Sequence, residues 1–251
     1  MNPLFSIITV TFNASSVIEP TLKSVYSQSF SDYEHLIIDG ASSDDTVAKA
    51  RNIGNDRIRI ISEPDKGLYD AMNKSIDAAN GKYLIFLNAG DSFTSPADLQ
   101  RIADCAKSNP DIIYGQTQLV NSVREIVGKR HLTAPAHLTA SSFKHGMLVC
   151  HQAFVAKREI MPKYDLSYRF SADYDWCIKC LKASKANAYV GDEPIINFLT
   201  DGLTDKYHKA SLNERFNIMA KNYGIISTII LHISFIPRFL IEKKRKQNRN
   251  K

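Results

Sequence analysis

Cysteine is scarce in this chain of 251 residues, and the few cysteines do not support two common kinds of protein. Four cysteines in a chain of this size do not indicate a disulfide framework. Cys177 and Cys180 form a C-x-x-C pair, but the pair lies in a predicted helix and no second pair of zinc ligands accompanies it. We therefore interpret both residues as half-buried thiols and expect no zinc site.

Several other features are missing. The opening stretch MNPLFSIITVTF lacks the cationic start and small-residue cleavage pattern of a signal peptide, so we expect a cytoplasmic protein. No internal repeat is visible, and no low-complexity segment apart from the C-terminal tail. The loop TFNASS, after the first predicted strand, has neither the glycine nor the lysine of a phosphate-binding loop, which disfavours a nucleotidyltransferase.

The positive charge of the chain is concentrated at one end. Lysine and arginine exceed aspartate and glutamate by six, and the stretch from Lys243 to Lys251 alone holds six cations. The remainder is therefore near neutral. A protein that binds nucleic acid more often spreads its cations along one face, so we expect no nucleic-acid partner. A basic tail behind an apolar helix favours an anionic membrane surface instead.

The segment before this tail is apolar from Ile225 to Ile241, with interruptions at His232, Pro237 and Arg238. About 17 residues with a charge among them are marginal for spanning a bilayer. We expect an in-plane anchor on the cytosolic face of the inner membrane, with the apolar face among the acyl chains. The alternative is a helix that packs on the rest of the protein, followed by a solvated tail.

The first hundred residues alternate predicted strands and helices. The strands are FSIITVT, HLIID, RIRIIS and YLIFLN, and the helices cover residues 16–27, 44–53 and 68–79. This alternation predicts an α/β fold with a mainly parallel sheet. Gly81 follows the third helix, where a left-handed residue is expected. After about residue 110, longer strands and a helix from Ala172 to Ala183 indicate a smaller α+β half.

We accordingly expect three parts. Residues 1–110 form the first half of one domain, residues 111–205 its second half, and residues 206–251 a C-terminal helical segment with the basic tail.

Polar residues follow the predicted strands at the edge where ligands bind in open α/β sheets. Strand one leads into Thr11 and Asn13, strand two ends at Asp39, and strand four leads into Asn88 and Asp91. Such residues also form turns and helix caps, which is the favoured interpretation for the serine-rich turn after strand two. Two separate strands each place an acid at the same edge of the sheet. This arrangement predicts a ligand with several polar groups, such as a nucleotide with its metal.

Three sequence blocks resemble family 2 glycosyltransferases, which have the GT-A fold. They are SIITVTFNASSVIEPTLKSVYSQSFSDYEHLIIDGASSDDT, SEPDKGLYDAMNKSIDAANGKYLIFLNAGD and FSADYDW. The resemblance covers residues 4–93 closely and reaches about residue 200. It implies a Rossmann-like nucleotide-binding sheet flanked by helices, and an inverting transfer of a sugar from a nucleotide diphosphate sugar to an acceptor hydroxyl. By family habit, a UDP-sugar is the expected donor.

The resemblance also assigns a metal site. Family members hold a divalent metal with an Asp-x-Asp type motif after strand four, and the metal stabilises the leaving diphosphate as a Lewis acid. Here Asn88 replaces the first acid and Asp91 remains as the expected metal carboxylate, with Mg²⁺ or Mn²⁺ as the ion. His208 could reach the diphosphate from a closing loop, or it could be a surface residue of a helix.

The donor pocket implied by the resemblance uses the other residues of this edge. Asp39 corresponds to the family acid that contacts the base or the ribose, and Thr11 and Asn13 correspond to positions that line the same pocket. Lys66 could pair with the base or a phosphate, or it could be an exposed loop lysine. Asn88 could accept a hydrogen bond from a ribose hydroxyl.

On the acceptor side, Asp173 corresponds to the family's general base, with Ala172 in place of a more usual acid. Asp175 is the alternative base, and it should point to a different side of the helix. His151 and Gln152 resemble an acceptor-side pair, although a histidine that enters a strand is more often a core residue with a polar partner.

The leading hypothesis is a metal-dependent glycosyltransferase of cell-surface polysaccharide or glycolipid assembly, acting on a saccharide or a lipid-linked saccharide. The alternative is a catalytically silent nucleotide-sugar-binding protein, which the uncharged Asn88 would allow. Retention of Asp91 and Asp173 argues against it, because a binding protein has little need of a base on the acceptor side.

Overall fold

The structure is a computed structural model, and it describes residues 2–200 and 208–233. Within them lie nine strands of one sheet and six helices with defined ends. The strands are β1 (Phe5–Thr11), β2 (Tyr33–Asp39), β3 (Ile58–Ser62), β4 (Tyr83–Phe86), β5 (Ser92–Phe93), β6 (Ile112–Val120), β7 (Ile126–Lys129), β8 (Phe154–Lys157) and β9 (Asn187–Leu199). The helices are α1 (Ile18–Tyr26), α2 (Thr46–Ile53), α3 (Leu68–Ala78), α4 (Asp98–Ala106), α5 (Ala172–Ala183) and α6 (His208–Tyr223). A further helix, α7, covers residues 225–233.

The first four strands form a parallel sheet in the order β3-β2-β1-β4. Every residue of β1 and β4 is buried, as expected for central strands that are covered on both faces. The prediction of a mainly parallel α/β sheet is confirmed for this half of the chain. Because all four strands run in one direction, the residues after their carboxyl ends meet at a single edge.

The second half extends the same sheet with mixed strand directions. Strand β8 is antiparallel to β4, β6 is antiparallel to β8, β9 is parallel to β6, and the short β5 is antiparallel to β9. Strand β7 forms a hairpin with β6. The two halves therefore share one continuous sheet, and β5 brings the segment after β4 against the end of β9.

The predicted helices are present, with ends that differ by one or two residues from the expected ones, and α5 begins and ends at the expected residues. In α1, buried Ile18, Leu22 and Val25 recur at helical spacing and pack against the sheet. The role expected for Gly81 is wrong, since it is not among the left-handed residues. A Cβ atom at Gly81 would lie 2.3 Å from the backbone nitrogen of Ser6, so a close approach of two backbone segments requires glycine there.

The core continues across the junction of the two halves. Cys177 and Cys180 are completely buried in α5, which corrects the expectation of half-buried thiols. Trp176 is also completely buried, and its ring stacks on Tyr164 with centroids 5.0 Å apart. Within the part of the chain described here, no helix combines the length and the apolar character that crossing a membrane would need.

Candidate active site

Asp39 lies at the carboxyl end of β2 and is completely buried. Its carboxylate accepts hydrogen bonds from the backbone nitrogen of Ser42 at 2.9 Å, from the Ser42 hydroxyl at 2.5 Å and from the Ser62 hydroxyl at 2.6 Å. Ser62 is the last residue of β3 and pairs with Asp39 in register. Charge-assisted hydrogen bonds of this kind fix the acid at the edge of the sheet.

The loop after β1 is joined to the turn after β2. Asn13 has a left-handed backbone with φ of 47°, and its side-chain oxygen accepts a hydrogen bond from the backbone nitrogen of Ser43 at 2.9 Å. Its own backbone nitrogen donates to the Ser42 hydroxyl at 2.8 Å. The serine-rich turn therefore positions Asn13 and Asp39, in addition to leading into α2.

Two polar side-chain atoms at this edge are buried and have no hydrogen-bond partner within residues 2–200 and 208–233. They are the hydroxyl of Thr11, at the end of β1, and the side-chain oxygen of Asn88, after β4. Buried polar atoms almost always have a hydrogen-bond partner in native proteins. Two such atoms without a partner at the same edge of the sheet therefore indicate a place where a ligand binds. Both residues belong to the donor pocket predicted from the sequence.

The turn that carries Asn88 and Asp91 is tightly held. The backbone nitrogen of Asp91 donates to the carbonyl of Asn88 at 3.0 Å, and Gly90 between them has φ of 101°. The hydroxyl of Thr21, on α1, donates to the Asp91 carbonyl and accepts from the Gly90 nitrogen. A Cβ atom at Gly90 would also lie 2.7 Å from the side chain of Leu199, so glycine is required at this position.

The carboxylate of Asp91 is buried and faces the second half of the chain. One oxygen accepts a hydrogen bond from the Gln152 side chain at 2.8 Å, and the other accepts from the backbone nitrogen of Leu199 at 3.0 Å. Burial raises the pKa of Asp91 to about 7, against the opposing effects of these two hydrogen bonds and of the Arg124 charge. A carboxyl group in this environment sits near the balance between its neutral and ionised forms at neutral pH.

Arg124 is a residue of this site that sequence reasoning missed. It lies in the β6–β7 hairpin, and its guanidinium donates hydrogen bonds to the Gly90 carbonyl at 2.6 Å and to the Ser92 hydroxyl. The hairpin thereby clamps the turn that carries Asp91. Nothing in the sequence near Arg124 marks it, because the contact joins segments that lie more than thirty positions apart and depends on how β6 is placed.

The atoms available for a metal are few. Within the described part of the chain, no group of three histidine, cysteine or acidic side chains is arranged to hold an ion. The unpaired oxygen of Asn88 and the remaining lone pairs of the Asp91 carboxylate are hard oxygen donors on one turn. Such a set suits a Mg²⁺-like ion, which is commonly bound by one or two carboxylates together with substrate phosphates. Residue 208 begins α6, but the side chain of His208 lies outside what the structure describes.

Asp173 and Asp175 lie in the first turn of α5 and point to different sides, as the spacing predicts. Asp173 accepts a hydrogen bond at 3.1 Å from the hydroxyl of Tyr69, a residue of α3 in the first half of the chain. Asp175 is buried, and its carboxylate contacts Lys179 at 2.6 Å and Asn222 of α6 at 3.2 Å. Only Asp173 therefore faces the half that carries the polar edge.

The segment before α5 is attached to α3 by two kinds of contact. The side chain of Asn73 donates to the Tyr164 carbonyl at 3.0 Å and accepts from the Tyr164 nitrogen at 2.7 Å. The Tyr69 ring stacks on the Tyr164 ring with centroids 5.6 Å apart. Tyr69 and Asn73 lie on one face of α3, one helical turn apart. Tyr69 lies in the block GLYDAMN, which belongs to the family resemblance, but no sequence pattern assigned it a role.

His151 is a core residue with a polar partner. Its Nε2 atom lies 2.7 Å from the hydroxyl of Tyr164, and its ring packs on Phe86 and Trp176. Burial lowers the pKa of His151 to about 4, so the ring is neutral at physiological pH. Gln152 acts differently, because its amide connects Asp91 with the Cys150 thiol, which donates to the Gln152 oxygen at 2.9 Å.

Lys66 lies in the exposed loop between β3 and α3. Its backbone nitrogen donates to the carboxylate of Asp70 at 3.0 Å, and the neighbouring Gly67 has φ of 114°. These contacts shape the loop, and they leave the side chain of Lys66 on the exposed surface. Both interpretations of this lysine, as a donor-binding residue and as a loop residue, agree with that position.

Comparison with known proteins identifies the family. Residues 6–164 match the family described as "Glycosyl transferase family 2". A "PGL/p-HBAD biosynthesis glycosyltransferase" of Mycobacterium bovis is 35% identical over 187 residues, which cover 71% of this chain and 70% of the relative. The chain therefore belongs to glycosyl transferase family 2, and it is a glycosyltransferase.

A second relative comes from Escherichia coli. It is the "UDP-Glc:alpha-D-GlcNAc-diphosphoundecaprenol beta-1,3-glucosyltransferase WfgD", which is 27% identical over 186 residues. The aligned region covers 74% of this chain and 72% of WfgD. The similarity therefore extends over most of both chains.

Solved structures share the fold. A structure of Staphylococcus aureus TarS in complex with UDP-GlcNAc has a TM-score of 0.67 and 15% identity, covering 92% of this chain and 73% of that one. Glucosyl-3-phosphoglycerate synthase from Mycobacterium tuberculosis, in complex with Mn²⁺, UDP and glucosyl-3-phosphoglycerate, has a TM-score of 0.59 and 15% identity, covering 88% and 80%. These likenesses establish the GT-A fold expected from the sequence.

Proposed function

We propose that this protein is an inverting glycosyltransferase that moves a sugar from a nucleotide diphosphate sugar to an acceptor hydroxyl in cell-surface polysaccharide or glycolipid assembly. One observation carries the proposal. Tyr69, in the nucleotide-binding half, donates a hydrogen bond to Asp173, in the acceptor half. A carboxylate of the second half is thereby fixed against the half whose edge carries Asp39, Asn88 and Asp91.

The donor would bind at the polar edge of the sheet. Asp39 and Asn13 are held by the serine-rich turn, while the Thr11 hydroxyl and the Asn88 oxygen are buried and unpaired among the described residues. We assign these four residues to the nucleotide, with Lys66 beside them in the loop before α3. A UDP-sugar is the favoured donor, supported by WfgD, whose name specifies UDP-Glc, and by TarS, solved with UDP-GlcNAc.

A divalent cation, Mg²⁺ or Mn²⁺, would be held by Asp91 and Asn88, with His208 as a further proposed ligand. When bound, the ion would act as a Lewis acid that stabilises charge on the leaving diphosphate. The Mn²⁺ in glucosyl-3-phosphoglycerate synthase, which shares the fold, supports this proposal. Asp91 would need to be ionised for this role, and its hydrogen bonds from Gln152 and Leu199 stabilise the ionised form.

Asp173 would act as the general base. As the acceptor oxygen forms a bond to the anomeric carbon, the bond from that carbon to the diphosphate oxygen breaks, and its electron pair leaves with the nucleoside diphosphate. The proton of the acceptor hydroxyl passes to the Asp173 carboxylate. A single displacement of this kind inverts the anomeric carbon. Asp175 remains the alternative base, but its contacts with Lys179 and Asn222 turn it away from the donor.

The acceptor would be a saccharide or a lipid-linked saccharide at the cytosolic face of the inner membrane. WfgD supports this assignment, because its name specifies an acceptor sugar on diphosphoundecaprenol. A lipid-linked acceptor would require a peripheral attachment of the protein to an anionic membrane. Gln152 would contribute to the acceptor side through its hydrogen bond to Asp91, and His151 through its contact with Tyr164.

A catalytically silent nucleotide-sugar-binding protein is the second candidate, and one observation favours it. Asp91, the one acid of the turn after β4, is buried and already accepts two hydrogen bonds. A protein of this kind would bind a nucleotide sugar and release no product.

The test is an assay of nucleoside diphosphate release from a panel of UDP- and GDP-sugars, with Mg²⁺, with Mn²⁺ and with a chelator. We expect slow, metal-dependent release from one UDP-sugar, faster release when membrane extract supplies an acceptor, and inverted configuration in the product. Asp173→Asn serves as the matched control. Binding of a nucleotide sugar by folded protein, without release under any condition, would establish the silent binder instead.

A further inference from the structure

Helix α7 exposes a continuous stripe of isoleucine side chains. Ile226, Ile230 and Ile233 are 73%, 62% and 61% exposed, and Ile225 and Ile229 are 51% and 46% exposed. These positions recur at spacings of one and four, so they lie along one side of the helix. We call these five residues the isoleucine stripe. Exposed apolar side chains scattered singly are ordinary, whereas a contiguous apolar surface marks an interaction site.

The opposite side of α7 packs against the protein. Thr228 is completely buried, and Leu231 packs against the main hydrophobic core. The ring of His232 contacts the ring of Phe216 on α6, with centroids 5.0 Å apart. Helix α7 is therefore docked with one face on the domain and with the isoleucine stripe outward. Over residues 225–233 the structure thus shows the packed helix of the second alternative, while the rest of the predicted anchor up to Ile241 and the basic tail lie outside the described residues.

Helices α6 and α7 form an antiparallel hairpin. Gly224, between them, has φ of 88°, the left-handed conformation that ends a helix and reverses the chain. Phe216 lies eight positions before this glycine and His232 eight positions after it, so their contact requires the two helices to run back along each other. The end of α7 therefore lies towards the start of α6.

The start of α6 is attached to the segment that carries the proposed base. The hydroxyls of Ser211 and Ser171 lie 3.0 Å apart, and Ser171 immediately precedes α5. The carboxylate of Glu214 accepts hydrogen bonds from the backbone nitrogens of Arg169 and Phe170, both at 2.8 Å. The open end of the hairpin, with the last part of the isoleucine stripe, therefore lies towards the start of α5, the helix whose first turn carries Asp173.

The chain that follows the stripe has a composition that complements an anionic bilayer. Residues 234–251 have the sequence SFIPRFLIEKKRKQNRNK, which contains seven cations against one acid. Apolar side chains next to a cluster of lysine and arginine are the composition of segments that lie in the interface of anionic membranes. A second copy of this chain would bring the same positive charge to the contact and is therefore the less suitable occupant.

We propose that the isoleucine stripe is a membrane-docking surface, which inserts into the interface of an anionic phospholipid bilayer and holds the acceptor side of the enzyme towards it. The proposal rests on the proposed function only in naming the acceptor side, since docking of the stripe does not depend on the reaction. It specifies the surface that meets the membrane, and it explains how an acceptor held in the bilayer would come close to Asp173.

The test is vesicle flotation of the full chain, using vesicles of phosphatidylcholine alone or mixed with phosphatidylglycerol. The variant Ile226→Asn/Ile230→Asn should reduce the bound fraction on mixed vesicles by about tenfold or more, because two apolar side chains are lost from the interface. The matched control is Ile126→Asn/Val127→Asn, which alters exposed residues of β7 outside the stripe and should float like the wild type. Circular dichroism should be unchanged in both variants, and nucleoside diphosphate release without vesicles should be unchanged in the stripe variant.

A second variant reports membrane contact directly, by a fluorescence change, and does not depend on weakening the binding to vesicles. The chain has one tryptophan, Trp176, which is completely buried. Ile230→Trp adds an exposed tryptophan, whose emission should shift to shorter wavelength on mixed vesicles and should be quenched by brominated lipid. An unchanged emission spectrum would overturn the proposal.

The remaining outcomes are equally decisive. Equal flotation of the stripe variant and the wild type would overturn the proposal, as would equal flotation of the stripe variant and the β7 control. A wild type that forms dimers, that fails to float, and that becomes monomeric in the stripe variant would assign the stripe to contact between copies. Because flotation is measured without substrate, a failure of docking is distinguishable from a failure of the proposed reaction.

Discussion

The first half of the chain, for which we propose nucleotide binding, and the second half, for which we propose acceptor binding, hold their acidic residues in different ways. Asp39 is bound by residues close to it, namely the turn that follows its own strand and the end of the neighbouring strand. Asp173 is bound by Tyr69, which lies 104 positions earlier in the chain. The first arrangement follows from local sequence and parallel pairing, whereas the second exists only when both halves have folded together.

Asp91 stands between these two cases. Its turn is fixed both by α1 of the first half and by Arg124 of the second, and its carboxylate is bound by Gln152 and Leu199 of the second half. The polar edge of the first half is therefore built mainly by local contacts, while the groups proposed to act on the transferred sugar depend on contacts between the halves. Substitutions at the two kinds of contact should therefore have different effects on binding and on turnover.

The largest effect on turnover is expected for substitution of the proposed base. It would distinguish most clearly the role of the second half in turnover from that of the first half in donor binding. Asp173→Asn should lower kcat by roughly a thousandfold, because the amide keeps the shape but cannot accept the proton. Donor affinity, measured by calorimetry with the nucleotide sugar, should change little. Asp175→Asn is the control, and it should reduce stability more than turnover because Asp175 is buried against Lys179. The reverse pattern would assign the base to Asp175.

The next effect concerns the residue that joins the two halves. Asp91→Asn should lower kcat/KM by roughly a hundredfold, about 2–3 kcal/mol, because the charge that would hold the cation is lost. Asparagine can still accept one of the two hydrogen bonds, whereas Asp91→Ala would leave the Gln152 and Leu199 donors unpaired and destabilise the fold. The measurement is a metal titration of turnover together with the melting temperature. Wild-type turnover in Asp91→Asn would remove the metal assignment.

The free energy of unfolding should depend on pH through one buried histidine in each half, with an effect of similar size. Burial lowers the pKa of His35, in β2, to about 3, as it lowers that of His151 to about 4. The ordinary pKa of histidine is 6.5, so below about pH 6.5 the unfolded chain binds protons at these two rings that the folded chain does not bind. The stability that the neutral rings contribute is therefore complete above that pH and is lost as the pH falls. Each histidine should lower the free energy of unfolding by about 2 kcal/mol at about pH 5.

Urea unfolding at neutral pH and at about pH 5 checks this prediction. The loss of stability on acidification should be smaller by about 2 kcal/mol in His35→Gln and in His151→Gln than in the wild type. Asp91 contributes with the opposite sign, because its pKa is raised and its share of the stability is lost as the pH rises through about 7. An identical pH dependence in all three proteins would contradict the neutral assignment of both rings.

The smallest effect tests the contact between the halves itself. Tyr69→Phe removes the hydrogen bond to Asp173 but keeps the ring that stacks on Tyr164, so kcat should fall about five- to tenfold, roughly 1 kcal/mol, with KM for the donor unchanged. The control is Tyr26→Phe, which removes a hydroxyl that contacts His35 within the first half. An equal fall in both variants would mean that Tyr69 acts through general stability and does not position the base.

Much of the first half of the chain could be predicted from sequence, for physical reasons. Continuous apolar strands, helical spacing in α1 and polar residues after each strand are local signals, and parallel pairing brings the strand ends together. Thr11, Asn13, Asp39, Asn88 and Asp91 were accordingly found at one edge. The identity of the family was also predictable, because it depends on short motifs in a fixed order.

The contacts of the second half were less predictable. Arg124 reaches Gly90 from a hairpin that no sequence pattern marks. Gln152 was expected on the acceptor side, but its hydrogen bond to Asp91 was not predicted. Both contacts depend on the placement of β6 and β8 in the sheet, which local patterns do not specify. The same reason applies to Gly81, where a backbone from a distant strand, and not the helix end, determines the residue.

Helix α3 has a consequence for the construction of chimeric enzymes. A natural boundary for exchanging acceptor specificity between relatives would be residue 110, where the two halves of the sequence meet. Asn73 and Tyr69 precede that boundary, yet they hold the backbone of Tyr164 and the carboxylate of Asp173 beyond it. A transplanted acceptor half would therefore arrive without its own partners, so the face of α3 that carries Tyr69 and Asn73 has to be exchanged along with it.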